Sequence, residues 1–160
     1  IHVVVEKKLL GTGGGVKNVL NHLLPGPFLV LNSDVIWMDQ KDNFFHLLSN
    51  CWDGRKMDAL LLLYPVSRKP DENLGDYRKD GNGRIYRRKG LDFSPYVFTG
   101  AQILHDRLFK KSPRKPFSLV SLYDRAEKSG RLFGLVYNGI WHDVGTKDKL
   151  RRIRKKIRML

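Results

Sequence analysis

The 160-residue sequence predicts a single α/β domain whose mostly parallel sheet is flanked by helices. Residues 28–31 and 59–64 are continuous apolar runs, which are typical of strands buried on both faces of a parallel sheet. Residues 42–52, which lie between them, carry apolar residues at helical spacing. A strand, a helix and a second strand in this order predict a right-handed parallel crossover. Apolar residues make up 41% of the chain, which is enough for one packed core.

The composition is basic, but the excess of positive charge is uneven. Residues 147–160 hold eight Lys or Arg and one Asp, which is half of the net charge of +14. The single cysteine, Cys51, excludes an intramolecular disulfide and fits a reducing compartment. No apolar stretch approaches the ~20 residues that a membrane span requires. A cytoplasmic location is therefore expected.

Four glycines within residues 11–15 precede the first predicted helix, residues 16–24, and follow a β-rich stretch at 2–6. We interpret the glycines as a loop that enters the helix. Such a loop exposes backbone N–H groups beside a helix N-terminus and allows a flat base or a ribose to approach closely. The alternative is a plain flexible connection. A Walker A loop is excluded, because the required Gly-Lys-Ser/Thr is absent.

A carboxylate follows the first predicted buried strand. Residues 28–31 lead through Asn32 and Ser33 to Asp34. In open α/β sheets, ligands bind at the carboxyl ends of the strands, which makes Asp34 a candidate for chemistry. The alternative is that Asp34 only caps a following turn or helix.

The remaining elements follow from turn and periodicity signals. Residues 80–83 predict a hairpin turn between basic, aromatic arms, which suit either a nucleic-acid surface or a half-solvated hairpin. Thr99-Gly100 interrupts a strand at 94–104, and Gly130 ends a helix at 117–129. The other predicted elements are a short helix at 105–109, a strand at 131–138 and a basic amphipathic helix that begins near Thr146, with Leu150, Ile153, Ile157 and Leu160 on one side.

Asp34 and Asp143 each lie at the end of a predicted strand and beside a tight polar turn. If these strands are neighbours, both carboxylates point into one crevice and suit Mg²⁺, which is usually held by one or two carboxylates together with substrate phosphates. Thr99 and Gly100 are polar and compact enough to face sugar hydroxyls. His142 lies beside Asp143, but no Cys or His is spaced to complete a zinc site.

Five co-linear motifs resemble those of the sugar-1-phosphate nucleotidyltransferases, in particular the small bacterial members. They are ExxLLGTGGG at 6–15, LNSD at 31–34, GDY at 75–77, FTG at 98–100 and WxDVGT at 141–146. The resemblance implies a Rossmann-like mixed, mostly parallel sheet. It also implies attack by a sugar phosphate oxygen on the α-phosphorus of a nucleoside triphosphate, with Mg²⁺ present, giving a nucleoside-diphosphate sugar for processes such as cell-wall synthesis and releasing pyrophosphate.

The same resemblance implies roles for individual residues. Asp34 and Asp143 would be catalytic and bind Mg²⁺. The nucleotide would lie against Gly11, Thr12, Gly13 and Gly14. The sugar 1-phosphate would be bound by Asn32, Thr99 and Gly100.

The chain departs from the family pattern at its start, where the family's first strand and its Gly-x-Gly-Thr-Arg loop are not seen. We therefore expect residues 1–160 to be one nucleotidyltransferase domain without its N-terminal part, poorly active alone and able to self-associate through uncovered sheet edges. Two alternatives stay open. One is a catalytically inactive nucleotide- or sugar-binding module, and the other is a nucleic-acid- or membrane-surface-binding protein that uses the helix at 151–158.

Overall fold

The structure, a computed structural model, describes residues 1–38, 43–68 and 74–157. Three single turns of 3₁₀ helix lie at Leu20–His22, Val66–Arg68 and Asp106–Phe109. The helices and strands, in chain order, are α1 (Gly11–Val19), β1 (Pro27–Leu31), β2 (Val35–Met38), α2 (Phe44–Cys51), β3 (Ala59–Pro65), β4 (Tyr77–Lys79), β5 (Ile85–Arg87), β6 (Tyr96–His105), α3 (Val120–Lys128), β7 (Leu132–Val136), β8 (Ile140–Asp143) and α4 (Lys147–Ile157).

The main sheet contains six strands in the order β5-β4-β6-β3-β7, and β1 also pairs with β6. One edge of β6 pairs with β3. On the other edge, β4 pairs near the start of β6 and β1 pairs towards the end of β6. β1, β3 and β4 are antiparallel to β6, and β7 is parallel to β3. Four strands of this sheet therefore run one way, and β5 and β6 run the other way.

The predicted α/β fold with a mixed sheet flanked by helices is confirmed, but its pairing is less parallel than the sequence analysis expected. β1 and β3 run in the same direction and are connected through α2, as a crossover requires. Because β6 lies between them, β3 with β7 is the one parallel pair among the described strands. The apolar pattern indicates burial and carries no information on which strand becomes a neighbour.

Strand β1 is not buried on both faces, which corrects the prediction from its apolar run. Its residues are half-buried or exposed, and Leu31 is 45% exposed. In β3, by contrast, six of the seven residues are buried. Within the described residues β1 has a neighbouring strand on one side only, so its outer edge and faces are less covered.

The core lies on both faces of β3, because successive strand side chains point to opposite faces. Leu61 and Leu63 pack on one side against Leu122 and Tyr123 of α3. Leu60, Leu62 and their neighbours on the other side pack against Leu48 of α2 and Trp141 of β8. The small second sheet, β2 with β8, is therefore held against the face that α2 covers.

Several local predictions are confirmed and two, the glycine loop at 11–15 and the β-rich stretch at 2–6, are wrong. The hairpin forms as β4 and β5, and Gly130, with a φ of +66°, follows the C-terminus of α3. The glycine-rich stretch is not a loop, because α1 begins at Gly11 and contains it; residues 1–10 form neither helix nor strand. The predicted helix at 42–52 is present as α2, although residue 42 lies outside the described residues.

The basic C-terminal helix is present as α4. Thr146 caps it, since its Oγ1 accepts a hydrogen bond from the N–H of Lys149 (3.2 Å), and Ile153 is buried. The side chains of residues 156–160 lie outside the described part of the chain. Among its described side chains, α4 therefore buries Ile153 and exposes its basic residues, which favours a solvated charged face. None of the described helices is both long and apolar enough to cross a membrane.

A carboxylate between two arginines fixes the start of β3. Asp58 Oδ1 accepts hydrogen bonds from Nε of Arg107 (2.6 Å) and Nε of Arg131 (2.8 Å). Burial by itself would raise the pKa of the Asp58 carboxyl, but the hydrogen bonds from both guanidinium groups outweigh it and hold the pKa below its ordinary value. The network joins the turn before β3 to the starts of β7 and of the 3₁₀ turn after β6.

We expect Asp58→Asn to lower the free energy of unfolding near neutral pH by about 1–3 kcal/mol, because it removes charge-assisted hydrogen bonds. Since the folded-state pKa is lowered, this stabilisation is present above about pH 4 and is lost as the pH falls through the folded-state value. Urea unfolding across that range measures both effects. Asp148→Asn, at an exposed ion pair, is the control and should change stability by less than about 0.5 kcal/mol. An unchanged acid dependence in Asp58→Asn would contradict the assignment.

Candidate active site

A cleft of about 260 Å³ opens where the edge of β6 passes from β4 to β1. β6 is bulged here relative to its neighbour β3. Phe98 lies opposite Leu63 and Gln102 lies opposite Leu61, so β6 has more residues between these two pairs than β3 has. The predicted interruption at Thr99-Gly100 is thus a bulge within a continuous strand. The residues that line the cleft are Asn32, Asp34, Val35, Asp76, Val97, Phe98, Thr99, Gly100, Trp141 and Asp143.

The structure brings Asp34 and Asp143 together across this cleft. β2 pairs with β8 so that Val35 is opposite Asp143, and the N–H of Val144 donates to the carbonyl of Asp34 (2.8 Å). A Cβ placed on Gly145 would lie 2.9 Å from Oδ2 of Asp34 and 3.2 Å from Oδ1 of Asp143. The two carboxylates therefore flank the same small volume, which only glycine leaves open.

The route to this convergence differs from the one the sequence suggested. The sequence analysis made the convergence conditional on pairing of the strands that precede the two carboxylates, but β1 and β8 are not paired. A strand that was not predicted, β2, follows Asp34 directly and makes the contact with β8. Because Asp34 precedes a strand, it does not cap a helix. Strand alternation places His142 on the opposite face of β8 from Asp143, which argues against His142 as a shared ligand.

The charge of the carboxylate pair is partly balanced from α4. The ammonium of Lys149 donates to Oδ2 of Asp143, and the N–H of Gly145 donates to Oδ1 of the same carboxylate (2.9 Å). Among the described residues, no three His, Cys, Asp or Glu side chains are grouped to hold a metal ion. A cation at Asp34 and Asp143 would therefore take its remaining ligands from water and phosphate, which is the usual coordination of Mg²⁺ in proteins.

The three residues predicted to bind sugar all line the cleft, but the chain already uses some of their groups. Thr99 is fully buried; its hydroxyl donates to the carbonyl of Leu62 (2.9 Å), and its carbonyl accepts from the indole N–H of Trp141 (2.9 Å). Gly100 has a φ of +87°, and a Cβ there would lie 2.9 Å from Cβ of Asn32. Gly100 thus lets the end of β1 approach β6. Sugar contacts by these residues stay predictions.

The predicted nucleotide-binding segment, Gly11 to Gly14, does not line this cleft. The N–H groups of Gly13 and Gly14 both donate to the carbonyl of Phe117 (3.0 and 3.3 Å), and a Cβ on Gly13 would overlap the Phe117 ring. The Thr12 hydroxyl accepts from the N–H of Leu119 (3.0 Å), just before α3. The described structure thus gives these residues a packing role, and their nucleotide contacts stay predictions.

Sequence reasoning missed Asp76 as a site residue. Asp76 lies just before β4, lines the cleft, and accepts a hydrogen bond at Oδ2 from the N–H of Phe98 (2.9 Å). It also borders a neighbouring cavity of about 320 Å³ that Arg87 and Arg88 help to line. The signal in the sequence is the GDY motif at 75–77, which places a carboxylate directly before the first arm of the hairpin.

Curated proteins resemble this chain over most of its length. It is 31% identical over 137 residues to the N-acetylmuramate alpha-1-phosphate uridylyltransferase of Caulobacter vibrioides, which covers 85% of this chain and 57% of that protein. It is 27% identical over 155 residues to the bifunctional protein GlmU of Methanococcus vannielii, covering 91% of this chain and 36% of that protein. The chain is homologous to the sugar-1-phosphate nucleotidyltransferases. No protein-family model matches it.

Solved structures show the same fold. A putative glucose-1-phosphate thymidylyltransferase from Bacillus anthracis superposes with a TM-score of 0.75 at 21% identity, over 98% of this chain and 65% of that one. HddC from Yersinia pseudotuberculosis, complexed with GMP-PN, gives 0.71 at 21% identity, over 96% and 65%. The predicted nucleotidyltransferase type of fold is therefore confirmed. The chain spans little more than half the length of the uridylyltransferase that it matches.

The packing of Gly13 can be tested by substitution. We expect Gly13→Ala to lower the free energy of unfolding by about 1–3 kcal/mol, because the added methyl group overlaps the Phe117 ring, although alanine is the better helix former. The penalty should shrink in a Phe117→Ala background, which chemical denaturation measures. Gly81→Ala is the control, since nothing lies within 4 Å of its Cβ position. Equal penalties with and without the Phe117 ring would rule out this packing role.

Proposed function

We propose that the whole protein transfers a nucleotidyl group from a nucleoside triphosphate to a sugar 1-phosphate, giving a nucleoside-diphosphate sugar and pyrophosphate. The observation that carries the proposal is the meeting of Asp34 and Asp143 in one cleft with Asn32, Thr99 and Gly100. The homology to sugar-1-phosphate nucleotidyltransferases supports it from an independent direction. Because the chain spans only part of those relatives, the proposal concerns the whole protein.

The carboxylate pair is proposed to hold Mg²⁺, and its donor set fits that ion. Two carboxylates flank the same volume, and a side-chain cation, Lys149, already lies against one of them. When bound, Mg²⁺ would neutralise phosphate charge and help to align attack on the α-phosphorus. Asp34 and Asp143 supply oxygen ligands, and the Gly145 N–H fixes the orientation of Asp143 through Oδ1.

The sugar 1-phosphate is proposed to lie along the bulged edge of β6. Between the residues that pair with β4 and those that pair with β1, the edge of β6 lines the cleft together with Asn32. Asp76 also lines the cleft, and its carboxylate is proposed to accept hydrogen bonds from sugar hydroxyls. Such contacts would position the attacking phosphate oxygen, and positioning contributes a large part of the catalysis of phosphoryl-type transfer.

The nucleotide base is proposed to lie against residues 11–14, through backbone contacts rather than through the Thr12 hydroxyl. That hydroxyl accepts a hydrogen bond from the N–H of Leu119, and the N–H groups of Gly13 and Gly14 donate to the carbonyl of Phe117, so the proposed contacts use the other backbone groups of this segment. Which base and which sugar the protein uses stay open, as do self-association and the predicted cytoplasmic location. A screen of nucleoside triphosphates against sugar 1-phosphates, with pyrophosphate release by the full-length gene product as the readout, identifies the substrates.

Substitution of either carboxylate tests the proposed site. We expect Asp34→Asn and Asp143→Asn each to lower kcat for pyrophosphate release by roughly a hundredfold or more, because electrostatic stabilisation is usually the largest catalytic contribution. Circular dichroism and thermal unfolding show that the fold is kept. Asp92→Asn, at an exposed loop, is the matched control and should keep wild-type turnover. Normal turnover by both cleft variants would refute the assigned site.

A further inference from the structure

We propose that Lys149 is a built-in counter-ion of the carboxylate pair and competes with the divalent cation for Asp143. The proposal rests on the proposed function, because the cation is the one assigned there to Asp34 and Asp143. Its consequence is that the free cation binds weakly to this chain. The cation is then taken up together with the phosphates of the nucleotide, which supply further ligands.

The position of Lys149 is fixed by the first turn of α4. The backbone N–H of Lys149 donates to Oγ1 of Thr146 (3.2 Å), and the N–H of Leu150 donates to the carbonyl of Thr146 (2.9 Å). β8 ends at Asp143, and α4 begins four residues later. This short, capped connection brings the Lys149 ammonium onto Oδ2 of Asp143.

The two carboxylates need a cation nearby. Oδ2 of Asp34 and Oδ1 of Asp143 lie within 2.9 and 3.2 Å of the Cβ position of Gly145, so two negative charges share a small volume. Like charges at such separations repel each other unless a positive group intervenes. Lys149 supplies one positive charge to this pair, and the Gly145 N–H supplies part of another through its dipole.

The ion pair between Lys149 and Asp143 is strong enough to weaken the binding of a divalent cation, yet weak enough for that cation to displace the Lys149 ammonium. The side chain of Lys149 is 47% exposed and that of Asp143 is 27% exposed, so water screens the pair. Lysine carries its charge on a flexible stem, and the ammonium can leave the carboxylate without disturbing the helix. A divalent cation brings twice the charge and is therefore expected to displace it.

The neighbouring basic side chains of α4 lie in other surroundings than Lys149. Arg151, two residues further along α4, lies 3.5 Å from Asp148 and is directed to that carboxylate. Lys155, one turn later, is exposed and makes no contact with either cleft carboxylate among the described residues. Among the described residues the competition is therefore assigned to Lys149, and Lys155 offers a matched control of the same residue type on the same helix.

Binding of Mn²⁺, a spectroscopic substitute for Mg²⁺, tests the proposal on the full-length gene product without any turnover. We expect Lys149→Met to bind Mn²⁺ about two- to fivefold more tightly than the wild type, by electron paramagnetic resonance titration, because an exposed ion pair has about that strength. Lys149→Arg, which keeps the charge, and Lys155→Met should both bind as the wild type does. Methionine preserves helix propensity, so α4 is retained.

Thermal unfolding gives a second readout. In EDTA, Lys149→Met should have a lower Tm than the wild type, and added Mn²⁺ should raise the Tm of the variant by more than that of the wild type. Equal Mn²⁺ affinity and equal Tm shifts in the wild type and Lys149→Met overturn this inference and leave the proposed function standing. Absence of Mn²⁺ binding in every form, together with full turnover by Asp34→Asn, overturns the proposed metal site itself.

Discussion

Strand β6 pairs with three strands, and the candidate site depends on how it divides one of its edges. β4 occupies the beginning of that edge and β1 the end, while the bulge at Thr99-Gly100 lies between them. The backbone there is held by contacts on the inner side, from the Thr99 hydroxyl to Leu62 and from the Trp141 indole to Thr99. The result is a notch in which part of the edge of β6 faces a cleft rather than a neighbouring strand.

The second sheet, β2 with β8, places two carboxylates, Asp34 and Asp143, at this notch. β2 and β8 are short, yet their register places Val35 opposite Asp143 and so sets the spacing between Asp34 and Asp143. Gly145 leaves the volume between the carboxylates open, and Lys149 offsets part of their charge from α4. A pair of carboxylates with one adjustable cation is an arrangement suited to exchange of a metal ion along with a charged substrate, in contrast to permanent metal binding.

The glycine-rich segment shows why a sequence motif does not fix its own role. Four glycines within residues 11–15 are compatible with a ligand-binding loop and equally with a helix that packs closely against another segment. In this structure the ring of Phe117, more than a hundred residues later, occupies the space beside Gly13, and its carbonyl accepts two of the glycine N–H groups. Nothing in the local sequence indicates that partner, because the contact is made only when α1 meets the segment before α3.

The sequence by itself determined the fold class, most of the helices and strands but not β2, the resemblance to nucleotidyltransferases, and Asp34 and Asp143 as the candidate carboxylates. These follow from local properties: hydrophobic periodicity, turn residues and motif order. Only the tertiary structure decided that β6 separates β1 from β3, that β1 is half exposed, that Asp76 joins the cleft and that Lys149 contacts Asp143. Each of these depends on which segments become neighbours, and strand pairing between distant residues is set by the packing of the whole chain rather than by any local pattern.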